Sequence, residues 1–156
     1  MDERARAAAD RAEIENLLVR YAIALDTRDW ELLASCFVPD VVYRFAHVGD
    51  VEGIDGVVEI CRRSLDPLDA SQHLIASPYV EVHGDEARSR CSFQAQHVRE
   101  GLEGGRNFVV AGTYVDRLRR TEDGWRIVRR ELERTWTEGN PAVLAHSATE
   151  RASQAS

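Results

Sequence analysis

The apolar positions change period partway along the chain, and the change divides the sequence into a helical half and a strand half. Between Ala8 and Leu25 the apolar residues Ile14, Leu17, Leu18, Tyr21, Ala22 and Leu25 recur at three- and four-residue intervals. That spacing puts one stripe of a helix against a core. A second, short helix is predicted next: Asp29 suits its N-cap, and Trp30, Leu32, Leu33 and Phe37 form its buried side until "VPD" breaks it at Pro39. "VVYRFAHV" (41–48) is β-branched and aromatic and reads as a strand. "GIDGVVEICRRSL" (53–65) returns to the helical period, with Asp55 as its expected cap. Beyond it the period is two. "QHLIASPYVEV" (72–82) and "EARSRCSFQAQHVRE" (86–100) flank the turn "HGDE", whose glycine supplies a positive φ. "RNFVVAGTYVDRLRR" (106–120) and "GWRIVRRELERTW" (124–136) are two long strands joined by "TEDG". "EGLEGG", between the hairpins, has no phosphate-loop pattern and reads as a connection. After Gly139 the periodicity is lost.

Three helices followed by about four long antiparallel strands, with one short strand among the helices, predict an α+β architecture. Helices across the concave face of a curved sheet would enclose a pocket. One domain is expected over 1–138, with 139–156 as a flexible tail. At 156 residues the chain is long enough for one core, and 44% hydrophobic with 30% charged residues is a globular balance. The net charge is −7, and the arginines are interleaved with Asp and Glu rather than gathered in a stripe. Nucleic acid and anionic membrane surfaces are therefore not expected as partners. No 18-residue apolar run exists, and "MDERARAAADRAE" lacks the apolar core of a signal peptide. Cys36, Cys61 and Cys91 are odd in number, far apart and set in apolar or strand-like runs. They read as buried free thiols of a cytoplasmic protein.

Four polar side chains interrupt these apolar patterns. Asp26 closes the first helix, where a carboxylate opposes the macrodipole and where aspartate is a poor helix former. Tyr21 lies on that helix's buried stripe, His73 opens a strand, and Arg130 lies in "WRIVRREL" beside Arg129, so that one of the two arginines must point each way. Each alone has an ordinary structural role. Together they suffice for proton abstraction beside an electron-withdrawing group: a histidine base, a carboxylate that holds it, and a tyrosine and an arginine facing the developing negative charge. No Gly-x-Ser-x-Gly elbow and no metal-ligand spacing is present.

"RAEIENLLVRYAIALDTRDWELLASCFVPDVVYRF", "SQHLIASPYVEVHGDEARSRCSF" and "VVAGTYVDRLRRTEDGWRIVRRELERTW" resemble the SnoaL-like branch of the nuclear-transport-factor-2-like superfamily, over about residues 8 to 137. The most specific pieces are the D-W-x-x-L-x-x-x-F segment and the G-x-Y-x-D-R ending with its D-G-W-R-I. The resemblance implies a cone-shaped curved sheet with a pocket at its open end. The pattern is similar to the dehydratase and dehydrohalogenase members: scytalone dehydratase, bile acid 7α-dehydratase and hexachlorocyclohexane dehydrochlorinase. For those the resemblance implies an Asp–His pair, placed here at Asp26 and His73, with Arg130 and Tyr21 at the matching polar positions, and neither cofactor nor metal.

The expected substrate is a small hydrophobic cyclic molecule, with Tyr43, Gln96 and Trp30 as substrate contacts. Gln94 and Gln96 share one face of their strand and His97 takes the other; Gln96 is expected inside and His97 outside. Lyase chemistry of the dehydratase kind is the leading reading. An isomerase or polyketide-cyclase-like reaction, and a non-catalytic binding module, stay open. The resemblance also implies assembly as a homodimer or homotrimer through the outer face of the sheet.

Overall fold

The computed structural model describes residues 2–46 and 48–145, and its elements divide where the period changes. Helix α1 (Glu3–Thr27) starts ahead of the apolar stripe because Asp2 caps it, accepting from the Ala5 amide at 2.8 Å. It stops at Arg28, which sits in the left-handed region at φ 57 and returns its amide to the Ala24 and Leu25 carbonyls. Helix α2 (Trp30–Ala34) is capped by Asp29, as expected. It is shorter than expected, and Phe37 does not belong to its buried side. Phe37 instead opens strand β1 (Phe37–Phe45), and Pro39 falls within a register irregularity of that strand, the place where a sheet tolerates the missing N–H. The expected strand at 41–48 is thus the second half of β1 up to Phe45; residue 47 lies outside the described residues. A four-residue strand, β2 (Gly49–Glu52), pairs back on β1. Helix α3 (Ile54–Leu65) has Gly53, not the expected Asp55, as its N-cap; Asp55 lies in the first turn, where it faces the positive end of the dipole.

Strands β3 (Ala70–His83), β4 (Glu86–Val98), β5 (Asn107–Thr121) and β6 (Gly124–Gly139) form the two long hairpins. The sheet order is β2-β1-β6-β5-β4-β3, so β2 and β3 are free edges and the sheet stays open. Every neighbouring pair is antiparallel except β1 with β6, which runs parallel. Register irregularities in β3 and at two places in β5–β6 bend the long strands around the helices.

The alternation is clean on β4: Ala87, Ser89, Cys91, Phe93, Ala95 and His97 are buried, and the residues between them are not. These side chains meet Ile14, Leu17, Leu18, Tyr21 and Leu25 of α1 in one core. The arginine doublet splits as parity requires, Arg130 inward and Arg129 outward to Asp50 and Glu131. The expected loose tail from 139 falls partly outside the described residues. Within them, residues 142–145 make one helical turn that buries Val143, and Asn140 donates to the carbonyls of Glu103 and Gly105. The three thiols are buried and unpaired, and burial pushes them up to about 11 for Cys36 and Cys91 and about 12 for Cys61. No described helix is long and apolar enough to cross a membrane.

Candidate active site

Asp26 leaves the last turn of α1 pointing at β3. Its Oδ1 lies 2.7 Å from His73 Nδ1 and accepts from Ser71 Oγ at 3.0 Å, and its Oδ2 accepts the His73 backbone amide at 2.7 Å. Ser71 in turn accepts from the Arg28 guanidinium at 2.8 Å. A β-strand edge therefore supplies the hydrogen bonds that the helix end cannot, and the dipole penalty at this position is outweighed. Burial alone would raise the Asp26 carboxyl; the hydrogen bonds from the His73 ring and amide, the charge on His73 and the Ser71 hydroxyl overcome that and hold it below the ordinary carboxylate value. An ionised Asp26 makes His73 Nδ1 the protonated nitrogen. The lone pair of the neutral ring is then on Nε2, on the side away from Asp26.

His73 is one wall of a cavity of about 110 Å³ enclosed by α1, β1, α3 and the inner face of the sheet. Its side chain is only 6% exposed. Facing it are the phenols of Tyr21 and Tyr43, joined by a 2.8 Å hydrogen bond, each at most 2% exposed. Burial pushes both phenols well above the ordinary tyrosine value, so both are protonated. Two hydroxyls sharing one hydrogen bond leave one proton over, and the pair offers it to whatever fills the cavity. Tyr43 stacks on Phe45 with centroids 3.9 Å apart, giving one wall a flat aromatic surface.

His97 also lines this cavity, contrary to expectation, and Gln96 does not. The inward parity of Cys91, Phe93 and Ala95 carries His97 with it, and the expectation weighed residue polarity above that alternation. Gln96 lies on the opposite face, donating to the His97 carbonyl and to Asn107 Oδ1. His97 stands diagonal to His73 across the β3–β4 ladder, ring centroids 5.7 Å apart and perpendicular. Its Nδ1 donates to the Phe108 carbonyl at 3.1 Å, which leaves Nε2 as an acceptor. Burial, with the His73 charge second, pulls its pKa down to about 4, so it is neutral at physiological pH.

Arg130 is fully buried but is not part of the cavity wall. It lies opposite Asp116 in the β5–β6 ladder and holds that carboxylate with two bonds of 2.7 Å; Ser89 donates to the same carboxylate. Its guanidinium carbon is 4.2 Å from the ring centres of both Tyr21 and Tyr114. It therefore reaches the cavity only through the rings of Tyr21 and Tyr114. Trp30 is remote from the site: its ring lies on the outer side of α2 and α3, beneath the Arg62 guanidinium. Residues that the sequence reading passed over, besides His97, are Ser71, Tyr114 and Arg134. All three have inward or strand-edge parity, but nothing in their immediate sequence marks them. Among the described residues, no group of three His, Cys, Asp or Glu side chains could hold a metal ion.

Residues 6–131 match the family model described as a SnoaL-like domain. A relative from Penicillium crustosum, "Terrestric acid biosynthesis cluster protein E", is 32% identical over 144 residues, covering 88% of this chain and 91% of the relative. Among solved structures, a putative scytalone dehydratase from Novosphingobium aromaticivorans superposes with a TM-score of 0.78 at 23% identity, covering 86% of this chain and 89% of that one. A type 2 hexachlorocyclohexane dehydrochlorinase gives 0.78 at 20% identity, covering 89% and 93%. At those identities the likeness is one of fold.

Proposed function

The chain belongs to the SnoaL-like domain family, and on that premise we propose that it is a cofactor-independent lyase of the dehydratase kind. The observation that carries this reading is the 2.7 Å contact between Asp26 Oδ1 and His73 Nδ1, with the second ring nitrogen left to the cavity. His73 Nε2 takes a proton from the carbon next to a carbonyl of a small cyclic substrate. The electron pair of the broken C–H bond moves to the carbonyl oxygen, where the spare proton of the Tyr21–Tyr43 pair meets it. Asp26 stabilises the imidazolium that forms. The enolate then reforms its carbonyl and expels a hydroxyl from the β-carbon, and that hydroxyl leaves as water with the proton His73 took up. His97 is neutral, so it holds the leaving group as an acceptor and is not the acid. Arg130 acts as a positioning residue, fixing the Tyr21 ring and polarising its hydroxyl through the ring face. The folds shared with a dehydratase and a dehydrochlorinase support elimination. If the enolate is reprotonated at another carbon, the same residues make an isomerase.

The test is solvent exchange. The protein is incubated in deuterium oxide with a panel of cyclic ketones and β-hydroxy ketones, and deuterium at the α-carbon and loss of water are followed by NMR and mass spectrometry. Exchange that disappears in His73→Ala and Asp26→Asn supports the base. No exchange or elimination with any member, alongside saturable binding, would mean that the cavity is a binding site only. The reading includes assembly as a homodimer or homotrimer through the outer sheet face, where Leu74, Tyr79 and Trp136 are 53%, 64% and 46% exposed. A light-scattering mass equal to one 17.6 kDa chain would remove it.

A further inference from the structure

Among the described residues, the buried ionic groups on the inner side of the sheet each have a counter-ion or hydrogen-bond partner, although Arg130 Nη1 makes no hydrogen bond, and one neighbouring cation has no such partner. Arg130 has Asp116, and Asp26 has His73 and Ser71. Arg134 has nothing comparable. It follows Arg130 and Leu132 at two-residue steps along β6 and turns with them toward the cavity, which it lines near Leu132 and Leu144. Among the described residues its guanidinium makes no hydrogen bond and no ion pair. Its position is held by the backbone: it pairs with Gly112, where β6 passes so close that a Cβ would strike the Glu133 carbonyl. Glycine is required there, and the strand is clamped where Arg134 leaves it.

The surroundings of Arg134 separate it from an ordinary solvated arginine. Much of its surface is in water, yet burial of the rest lowers its pKa below the ordinary guanidinium value. A guanidinium still stays charged under all ordinary conditions. Its charge also reaches the cavity, where it contributes to keeping His97 neutral. Among the described residues, no Asp or Glu lines the cavity. The nearest acid in the mechanism, Asp26, already accepts three hydrogen bonds. A partly desolvated cation facing an apolar cavity, with no anion paired to it among the described residues, is stabilised when the ligand supplies one. A guanidinium is a planar fork of donors, and the anion that matches it with two parallel bonds is a carboxylate.

We propose that Arg134 is a carboxylate anchor, so that the ligand of this cavity is a small cyclic acid whose ring lies among Tyr43, Phe45 and Leu65 and whose carboxylate sits at the rim. Calling that ligand the substrate rests on the lyase reading above; the anchor itself does not, because binding alone tests it.

The experiment is a calorimetric titration of the full chain with benzoate and with benzamide, which share shape and differ in charge. It is run on the wild type, Arg134→Gln, Arg134→Lys and Trp30→Ala. Benzoate should bind the wild type about tenfold or more tightly than benzamide, one strong charge-assisted contact's worth. Added salt should weaken benzoate alone. Arg134→Gln should abolish the preference, Arg134→Lys should keep part of it, and Trp30→Ala, outside the cavity, should keep all of it. Arg134 is largely solvent-exposed, so melting temperatures should not move; should Arg134→Gln unfold, the partial preference in Arg134→Lys still decides. Equal binding of the two probes, a preference that survives Arg134→Gln, or no saturable binding of benzoate overturns the anchor. An Arg134-dependent preference in a protein that catalyses no deuterium exchange keeps the anchor and removes the lyase; exchange without the preference does the reverse.

Discussion

Helix α1 carries a buried or half-buried aspartate near each end, and both reach across to the sheet, yet the two ends are built for different work. Near the start, Asp10 accepts from both terminal nitrogens of Arg120, at 2.6 and 2.9 Å, and from the Trp125 indole at 3.1 Å. Arg120 also holds Asp85 and lies over the Trp125 ring at 4.6 Å. The hydrogen bond from Arg120 holds the Asp10 carboxyl below its ordinary value against the cost of burial. Every strong donor there meets an acceptor, and no group faces a cavity. At the other end Asp26 is equally well supplied with donors, but its main partner is a histidine with a second nitrogen left to a pocket. The lesson is that an aspartate's saturation with hydrogen bonds does not mark it as structural. What separates a staple from a working group is whether its partner has a valence left and a space to use it in.

The contrast is broken hardest by disabling each end in turn. Asp26→Asn and His73→Ala should lower turnover of any substrate found in the exchange screen by about 10² to 10⁴-fold, with the fold retained on circular dichroism. Turnover that merely follows the folded fraction would sink the distinction. Acid provides a second, somewhat smaller effect. His97 has its pKa lowered to about 4 in the folded protein against an ordinary 6.5. As pH falls from 6.5 toward 4 the unfolded chain therefore takes up the proton first and the fold loses stability, by up to about 3 kcal/mol. Asp26, whose carboxyl is lowered, contributes stability that is lost as pH falls from the ordinary carboxylate value through its own lowered one. Chemical denaturation between pH 7 and 4 should show this first loss, and His97→Gln should flatten it; an unchanged slope in the variant would assign the loss elsewhere.

Asp10→Ala should do the opposite of the dyad variants. It strips the anion from Arg120 and Trp125 and should cost about 2 kcal/mol, less than a fully buried pair because Arg120 is 25% exposed. Ligand affinity at the far end of the helix should stay within a few fold by titration. The smallest effect belongs to Trp30→Ala. That ring lies outside the cavity, so benzoate affinity should not change measurably, and a clear loss would mean that the α2–α3 surface belongs to the site after all.

Much of the site was legible because it is written in local terms. Asp26 is conspicuous because it violates a helix-end preference, and His73 because it opens a strand. His97 was legible too: the alternation of Cys91, Phe93 and Ala95 determines its face, and the attraction of a neutral glutamine for a pocket was allowed to override it. Parity required one of Arg129 and Arg130 to point inward and the family resemblance selected Arg130, but its neighbour Asp116 could not be seen, since that pairing depends on the register of β5 against β6. Trp30 was read as part of the buried side of the second helix and as a substrate contact, but a five-residue helix is too short for its spacing to say which side faces inward.

The sequence by itself determined the order of helices and strands, the two turns of the hairpins, the inward face of each long element and the presence of an acid and a histidine at odds with their surroundings. Those follow from period and propensity, which act over a few residues. Only the tertiary structure decided the parallel pairing of β1 with β6, the addition of β2, the burial of the Arg130–Asp116 pair behind Tyr21 and the arrival of Arg134 at the rim of the cavity. Each of these depends on which residues of distant strands stand opposite one another. Register is a property of the whole sheet, set by bulges and by the bulk packed inside it, and no short stretch of sequence contains it.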